Sequence, residues 1–173
     1  RFMEPYTVVR AAGLDREASI FGDRDAWRAG VMTLPLVEDV RIRRRIPATV
    51  VLEVREVEPV ALVADGELRP VDATGRLIPL ELAGTVLDLP VLAGASVRNG
   101  HVAGAAGASA VAVLTALAVR APKLADRVSQ VDVESGSLRI TFRDERLEAV
   151  LPVHPTEVQL LQLRLAHADL RAR

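Results

Sequence analysis

Three histidines, a scatter of carboxylates, a few glycines and one run of arginines are the residues whose types could do chemistry in this chain. His101, His154 and His167 are isolated from one another and none belongs to a metal-ligand spacing such as His-Glu-x-x-His, so they read as surface or packed histidines. Asp65, Asp72, Asp88 and Glu81 could supply two carboxylates for acid/base work, but Asp65 and Asp72 stand beside glycines, where tight turns require them. Gly100, Gly104 and Gly107 do not form a Gly-x-Gly-x-x-Gly loop, and no Lys-Ser or Lys-Thr pair follows a glycine loop, so helix entry or close packing explains them better than phosphate binding. No catalytic residue, metal site or cofactor is therefore expected.

The run Arg41-Ile42-Arg43-Arg44-Arg45 is the strongest charge feature. On a strand, alternation puts Arg41, Arg43 and Arg45 on one face, with Glu53 and Arg55 on the adjoining strand. Cross-strand pairing on a solvated face is the simplest use of these arginines, and a basic docking patch is the functional one. Nucleic-acid binding ranks below both, because 22 basic and 23 acidic residues leave a net charge of -1 and no global field for nucleic acid or an anionic membrane. Aromatics at 3% leave little for a base-stacking platform or a sugar cleft.

The elements that must position these residues change period along the chain. Half of the 173 residues are hydrophobic, enough for a sizeable core in one ordinary domain or two small ones, and the absence of cysteine leaves the compartment open. The opening Arg1-Phe2-Met3-Glu4-Pro5 lacks the pattern of a signal peptide and reads as an internal start. Pro5, Val8, Val9, Ala12 and Gly13 predict a short helix, and Asp23 is placed to cap a second one carrying Ala26, Trp27, Gly30 and Val31. Val40–Arg43 and Val50–Arg55 then predict a hairpin, with Ile42, Leu52 and Val54 as its core face.

Turn signals at Asp65-Gly66 and Asp72-Ala73-Thr74-Gly75 flank a short strand over Leu68–Val71, and a domain boundary is set between residues 61 and 62. Pro90 confines the apolar run Leu87–Leu92 to a sheet edge or an irregular connection. Asn99–Val119 has no charged residue, but its Ala, Gly, Ser and Thr content favours a buried small-residue helix over a membrane span. Val128–Glu134 and Leu138–Phe142 predict a second hairpin, with a third strand over Glu145–Val150. Thr156 can cap a last helix in which Val158, Leu161, Leu165 and Ala168 share the apolar face. The fold class is α+β: two helices on a small sheet, then a β-rich domain with a mixed sheet and flanking helices.

Three stretches in order, Leu34-Pro35-Leu36-Val37, Arg45-Ile46-Pro47-Ala48-Thr49 and Val54-Arg55-Glu56-Val57-Glu58-Pro59-Val60-Ala61, resemble the POTRA domain of the FtsQ/DivIB cell-division family. Val71-Asp72-Ala73-Thr74-Gly75 and Leu89-Pro90-Val91-Leu92-Ala93-Gly94 are similar to motifs of that family's β domain, and Val128–Leu147 more weakly to its later hairpin. Ala168-Asp169-Leu170-Arg171 matches a late strand of the family superficially but continues the helical stripe, and reads as helix.

The resemblance implies a POTRA-like domain over residues 1–61, lacking its first strand, and a β domain over 62–173. It implies a non-enzymatic scaffold, single-pass in the cell membrane with this region on the extracytoplasmic side at the division septum and its anchor upstream of Arg1. The implied partners are FtsB-like and FtsL-like division proteins and, through them, the septal peptidoglycan synthase. Recognition by strand addition to an edge of the β domain is expected, within residues 128–150 or in a strand after Arg173. Candidate partner-binding residues are Arg41, Arg43 and Arg45, together with Val131, Val133, Leu138 and Ile140 on the later hairpin. A POTRA-type module of protein transport or outer-membrane assembly is the alternative; tandem repeats would be expected there, and the second half does not repeat the first.

Overall fold

The computed structural model describes residues 2–15, 18–80, 87–143 and 147–172. Glu81 and Glu145 lie outside the described residues. The chain divides into two compact units, residues 1–57 and 58–173.

In the first unit, Pro5 opens helix α1 (Pro5–Ala11), where its fixed φ and missing N–H cost nothing. Asp23 caps helix α2 (Arg24–Met32): its carboxylate accepts the Asp25 N–H at 2.9 Å. The two helices cross closely at Gly30, where a Cβ would overlap the Ala11 carbonyl oxygen. Strand β1 (Val37–Arg45) pairs antiparallel with β2 (Thr49–Glu56), and the register sets Val40 opposite Val54 and Ile42 opposite Leu52. These side chains pack with Val8, Trp27 and Val31 into one core, the face expected from the alternation. Arg44, on the same side of the strand, stacks over Trp27 at 5.5 Å and donates to the Gly22 carbonyl.

The second unit is built on a six-stranded mixed sheet of order β10-β9-β8-β5-β3-β4. Its strands are β3 (Ala61–Asp65), β4 (Glu67–Val71), β5 (Val91–Ala93), β8 (Val128–Val133), β9 (Ser137–Phe142) and β10 (Glu148–Pro152). A small hairpin, β6 (Ser96–Arg98) and β7 (His101–Ala103), leads into helix α3 (Gly104–Arg120). Helices α4 (Pro122–Ala125) and α5 (Glu157–Ala172) complete it. Ala110, Val111, Val113, Leu114 and Leu117 of α3 are buried with Val63, Leu92, Val131, Leu138 and Ile140 of the sheet. Among the described residues no helix is long and apolar enough to cross a membrane.

Two expectations are corrected. Pro90 does not push its segment to an edge: β5 begins one residue later and lies in the middle of the sheet, parallel to both β3 and β8. Proline lacks only the donor, and the Pro90 carbonyl accepts the Leu62 N–H at 2.9 Å, so it serves at the mouth of an interior strand. Gly94 then ends β5 with φ +74°, and a Cβ there would lie 2.8 Å from the Val133 carbonyl oxygen. The second correction concerns α5, whose Val158, Leu161 and Leu165 are exposed while Leu160 and Leu163 turn to the core. Asp72 does build the turn read from its neighbours: one carboxylate oxygen accepts from the Thr74 N–H (2.8 Å), the Thr74 hydroxyl (2.6 Å) and the Arg76 N–H (3.0 Å).

Candidate partner-binding surfaces

Of the carboxylates that might have formed a catalytic pair, the three that are described are engaged structurally. Asp72 holds its turn, Asp65 accepts the Val97 N–H at 3.2 Å, and Asp88 pairs with Arg143. His101 and His154 are exposed, and the His167 ring stands 5.0 Å from the Phe142 ring. No group of three or more metal-ligating side chains occurs among the described residues.

Arg41, Arg43 and Arg45 all lie on the solvent face of β1, as the alternation requires. Arg43 meets Glu53 at 3.3 Å and, further along, Arg55 meets Glu38 at 2.9 Å, while Arg41 and Arg45 carry no ion pair among the described residues. At the far end of β1, Asp39 binds Arg28 of α2 at 2.8 Å. That hydrogen bond, with one from the Val40 backbone, holds the Asp39 carboxyl below its usual range.

Val131, Leu138 and Ile140 do not belong to any surface. All three have no exposure, on interior strands β8 and β9, and Val133 is half-buried beside them. A partner could touch them only after the sheet opened. Alternation identifies which residues share a face, and here that face is the core beneath α3.

The accessible part of this sheet is its margin. At one margin, β4 is covered in part, because the Ile78 N–H donates to the Pro70 carbonyl at 2.8 Å and Leu77 bridges Val71. At the other, β10 pairs with β9 from Glu148–Thr141 to Pro152–Ser137, and nothing pairs with its outer side among the described residues. Leu151 points into the core, whereas Val150 is 58% exposed. Arg139 of β9 grips Glu134 at 3.1 Å and Glu148 at 3.2 Å, and this hydrogen bond, with that of the Ser137 hydroxyl, lowers the Glu134 pKa. The exposed stripe of α5 flanks an open groove of about 340 Å³ floored by Leu117 and Leu160, whose rim carries an Arg120–Glu157 pair at 2.7 Å. The third strand expected over Glu145–Val150 is β10 (Glu148–Pro152), at the margin of the sheet, whereas the Val158–Leu161–Leu165 stripe expected to face the core is exposed.

Residues 1–56 match the FtsQ-type POTRA domain family, and residues 61–171 match the family described as cell division protein FtsQ/DivIB, C-terminal. A cell division protein FtsQ of Myxococcus fulvus is 33% identical over 172 residues, covering 96% of this chain and 60% of the relative. Proteins of the same name from Anaeromyxobacter and Geotalea daltonii are 35% identical over 75 residues and 32% identical over 106, covering 43% and 59% of this chain and 26% and 38% of their own lengths. The chain thus spans no more than about 60% of the length of these curated relatives.

Proposed function

The chain belongs to the FtsQ/DivIB family of cell-division proteins, and from that membership we propose that it is a non-enzymatic scaffold of the division machinery. A POTRA-type domain over residues 1–61 and a β domain over 62–173 divide the work. The partners are FtsB-like and FtsL-like membrane-anchored division proteins and, through them, the septal peptidoglycan synthase. The protein is held in the cell membrane by a single span, with this region on the extracytoplasmic side at the septum.

One observation carries the binding mode: β10 is a sheet strand with nothing paired to its outer side among the described residues. Unpaired N–H and C=O groups along such a strand are a template for an incoming strand, whose main-chain hydrogen bonds supply affinity while its side chains supply specificity. Val150, exposed at the centre of β10, gives the incoming strand an apolar neighbour on one face. The Glu148–Arg139–Glu134 cluster gives it a charged one.

The test is a paired scan. Proline and alanine replace Glu148 and Val150 in turn, and binding to a soluble FtsB-like segment is measured for variants that remain folded. Strand addition requires proline to abolish binding at the positions whose N–H faces outward, where alanine is tolerated. Equal binding of folded proline and alanine variants at every position would exclude the β10 edge and leave the Arg41, Arg43 and Arg45 face as the recognition surface. The absence of enzymatic activity has its own check. A nucleotide-induced thermal shift of several degrees would contradict it, since a ligand that binds the native state raises stability by mass action.

A further inference from the structure

Strand β1 borders the two-stranded sheet of the 1–57 unit. It pairs with β2 on one side, and among the described residues no main-chain hydrogen bond reaches its other side between Arg41 and Arg45. Along that open edge stand Arg41, Arg43 and Arg45, all exposed and all on one face. Alternate residues of a strand are about 6.5–7 Å apart, so the three arginines repeat at the spacing of alternate residues in any other extended segment. Only Arg43 among them has a carboxylate partner, Glu53 on β2. On the opposite face of the same stretch Ile42 is half-buried against the core. Toward the start of β1 the strand is already engaged, because Arg28 of α2 binds Asp39 and donates to the Val40 carbonyl.

Charged side chains on an edge strand ordinarily discourage pairing, and three of one sign discourage it selectively. A second copy of β1 would set arginine against arginine, and a neutral strand would leave Arg41 and Arg45 uncompensated. A lipid headgroup layer would meet Glu53, opposite Arg41 on the same face, and offers nothing to the main chain of the edge. A strand with carboxylates at alternate positions answers both needs. Its main chain completes the edge, its acids stand about 4.5–5.5 Å from the arginines between Cβ atoms, and the residues between them fall beside Ile42, where apolar side chains fit. We propose that the β1 edge over Arg41–Arg45 receives an extended acidic segment of a partner protein, with carboxylates at alternate positions and apolar residues between them.

The test titrates the chain into a fluorescently labelled peptide, Glu-Val-Glu-Val-Glu, and reads anisotropy at low and physiological salt. Binding is expected, weakening with salt, and the β1 amides that do not pair with β2 should gain protection from hydrogen exchange. An exposed ion pair contributes about twofold to fivefold, so Arg41→Gln, Arg43→Gln and Arg45→Gln together should weaken binding roughly tenfold to a hundredfold. The peptide is also made N-methylated at its valines or at its glutamates, which keeps the charge and removes one set of main-chain donors; one of the two forms should lose binding. Glu148→Pro and Val150→Pro should bind the peptide as the parent does, which separates this site from the β10 edge. The inference is overturned if the peptide fails to bind at low salt, if the triple variant binds it like the parent, or if neither N-methylated form is weakened, which would make the row a charge patch and not a pairing edge. It is equally overturned if phosphatidylglycerol vesicles are held through these arginines while the peptide is not, which would make the row a lipid site.

Discussion

The two units bury a sheet face to different depths. In residues 58–173, strands β5, β8 and β9 have neighbours on both sides and α3 above, and Leu92, Val131, Leu138 and Ile140 lose all contact with water. In residues 1–57 the described sheet is two strands wide and helices of 7 and 9 residues cover one face. There Val40 is fully buried, but Ile42, Leu52 and Val54 remain half-buried. Width is the physical difference. A two-stranded ribbon has no interior strand, so each inward side chain has a lateral neighbour on one side only, whereas a strand inside a wide sheet is enclosed along both flanks.

The sharpest way to break that comparison is to truncate one side chain in each unit. Ile140→Ala removes a fully buried side chain and should cost about 2–5 kcal/mol, whereas Leu52→Ala, half in solvent already, should fall at or below the bottom of that range. Trp27, the single tryptophan, lies in the first unit, so its fluorescence reports that unit's denaturant transition while far-ultraviolet circular dichroism reports both. Equal losses from the two truncations would show that sheet width does not set the depth of burial.

A smaller effect is expected at the close helix crossing. Gly30→Ala inserts a methyl group where the Ala11 carbonyl already stands, so α1 and α2 must separate, at about 1–3 kcal/mol as for other overpacked sites. The Trp27 transition should shift to lower denaturant with it. An unmoved transition would mean that the two-helix cover is loose enough to give way, and the first unit would then be shallower still than its half-buried strand residues indicate.

Periodicity made the sides of these elements legible, and topology hid their depth. The β1–β2 hairpin with its inward Ile42, Leu52 and Val54, the Asp23 cap, the Asp72 turn and the small-residue helix α3 all follow from local chemistry, and all are present. β3 escaped notice because its five residues fall between Pro59 and Gly66, where turn signals dominate. Val131, Leu138 and Ile140 lie on the hairpin where strand addition is expected from the sequence; which strand ends up interior depends on long-range pairing, β5 with β8, that no local pattern encodes. In α5 two apolar stripes compete, Val158–Leu161–Leu165 and Leu160–Leu163, and only the packing partner decides between them. The arginine row was legible because a solvent face needs no partner to define it.

The least costly perturbation concerns how α2 is held on β1. Arg28 reaches from the helix to Asp39 at 2.8 Å and also donates to the Val40 carbonyl, so one guanidinium spans helix and strand. Asp39 is accordingly depressed below 3.8, first by the Arg28 hydrogen bond and then by the Val40 backbone. Because the folded value lies below the unfolded one, this stabilisation is present above the unfolded pKa and disappears as pH falls through the folded value. The second unit has a counterpart in Glu134, depressed below 4.5 chiefly by Arg139. Glu134 is exposed and Asp39 half-buried at the surface, and pairs open to solvent are worth little, so the expected effects are small. They differ in what they join: Arg139 links neighbouring strands of one sheet, while Arg28 links a helix to a strand. Asp39→Asn should therefore lower the Trp27 transition slightly at neutral pH and leave it unchanged relative to the parent well below pH 3.8, where the parent carboxyl is protonated as well. A decrement that persisted undiminished in acid would show that the asparagine disturbs packing and that the Arg28 charge pair does not hold the helix to the strand.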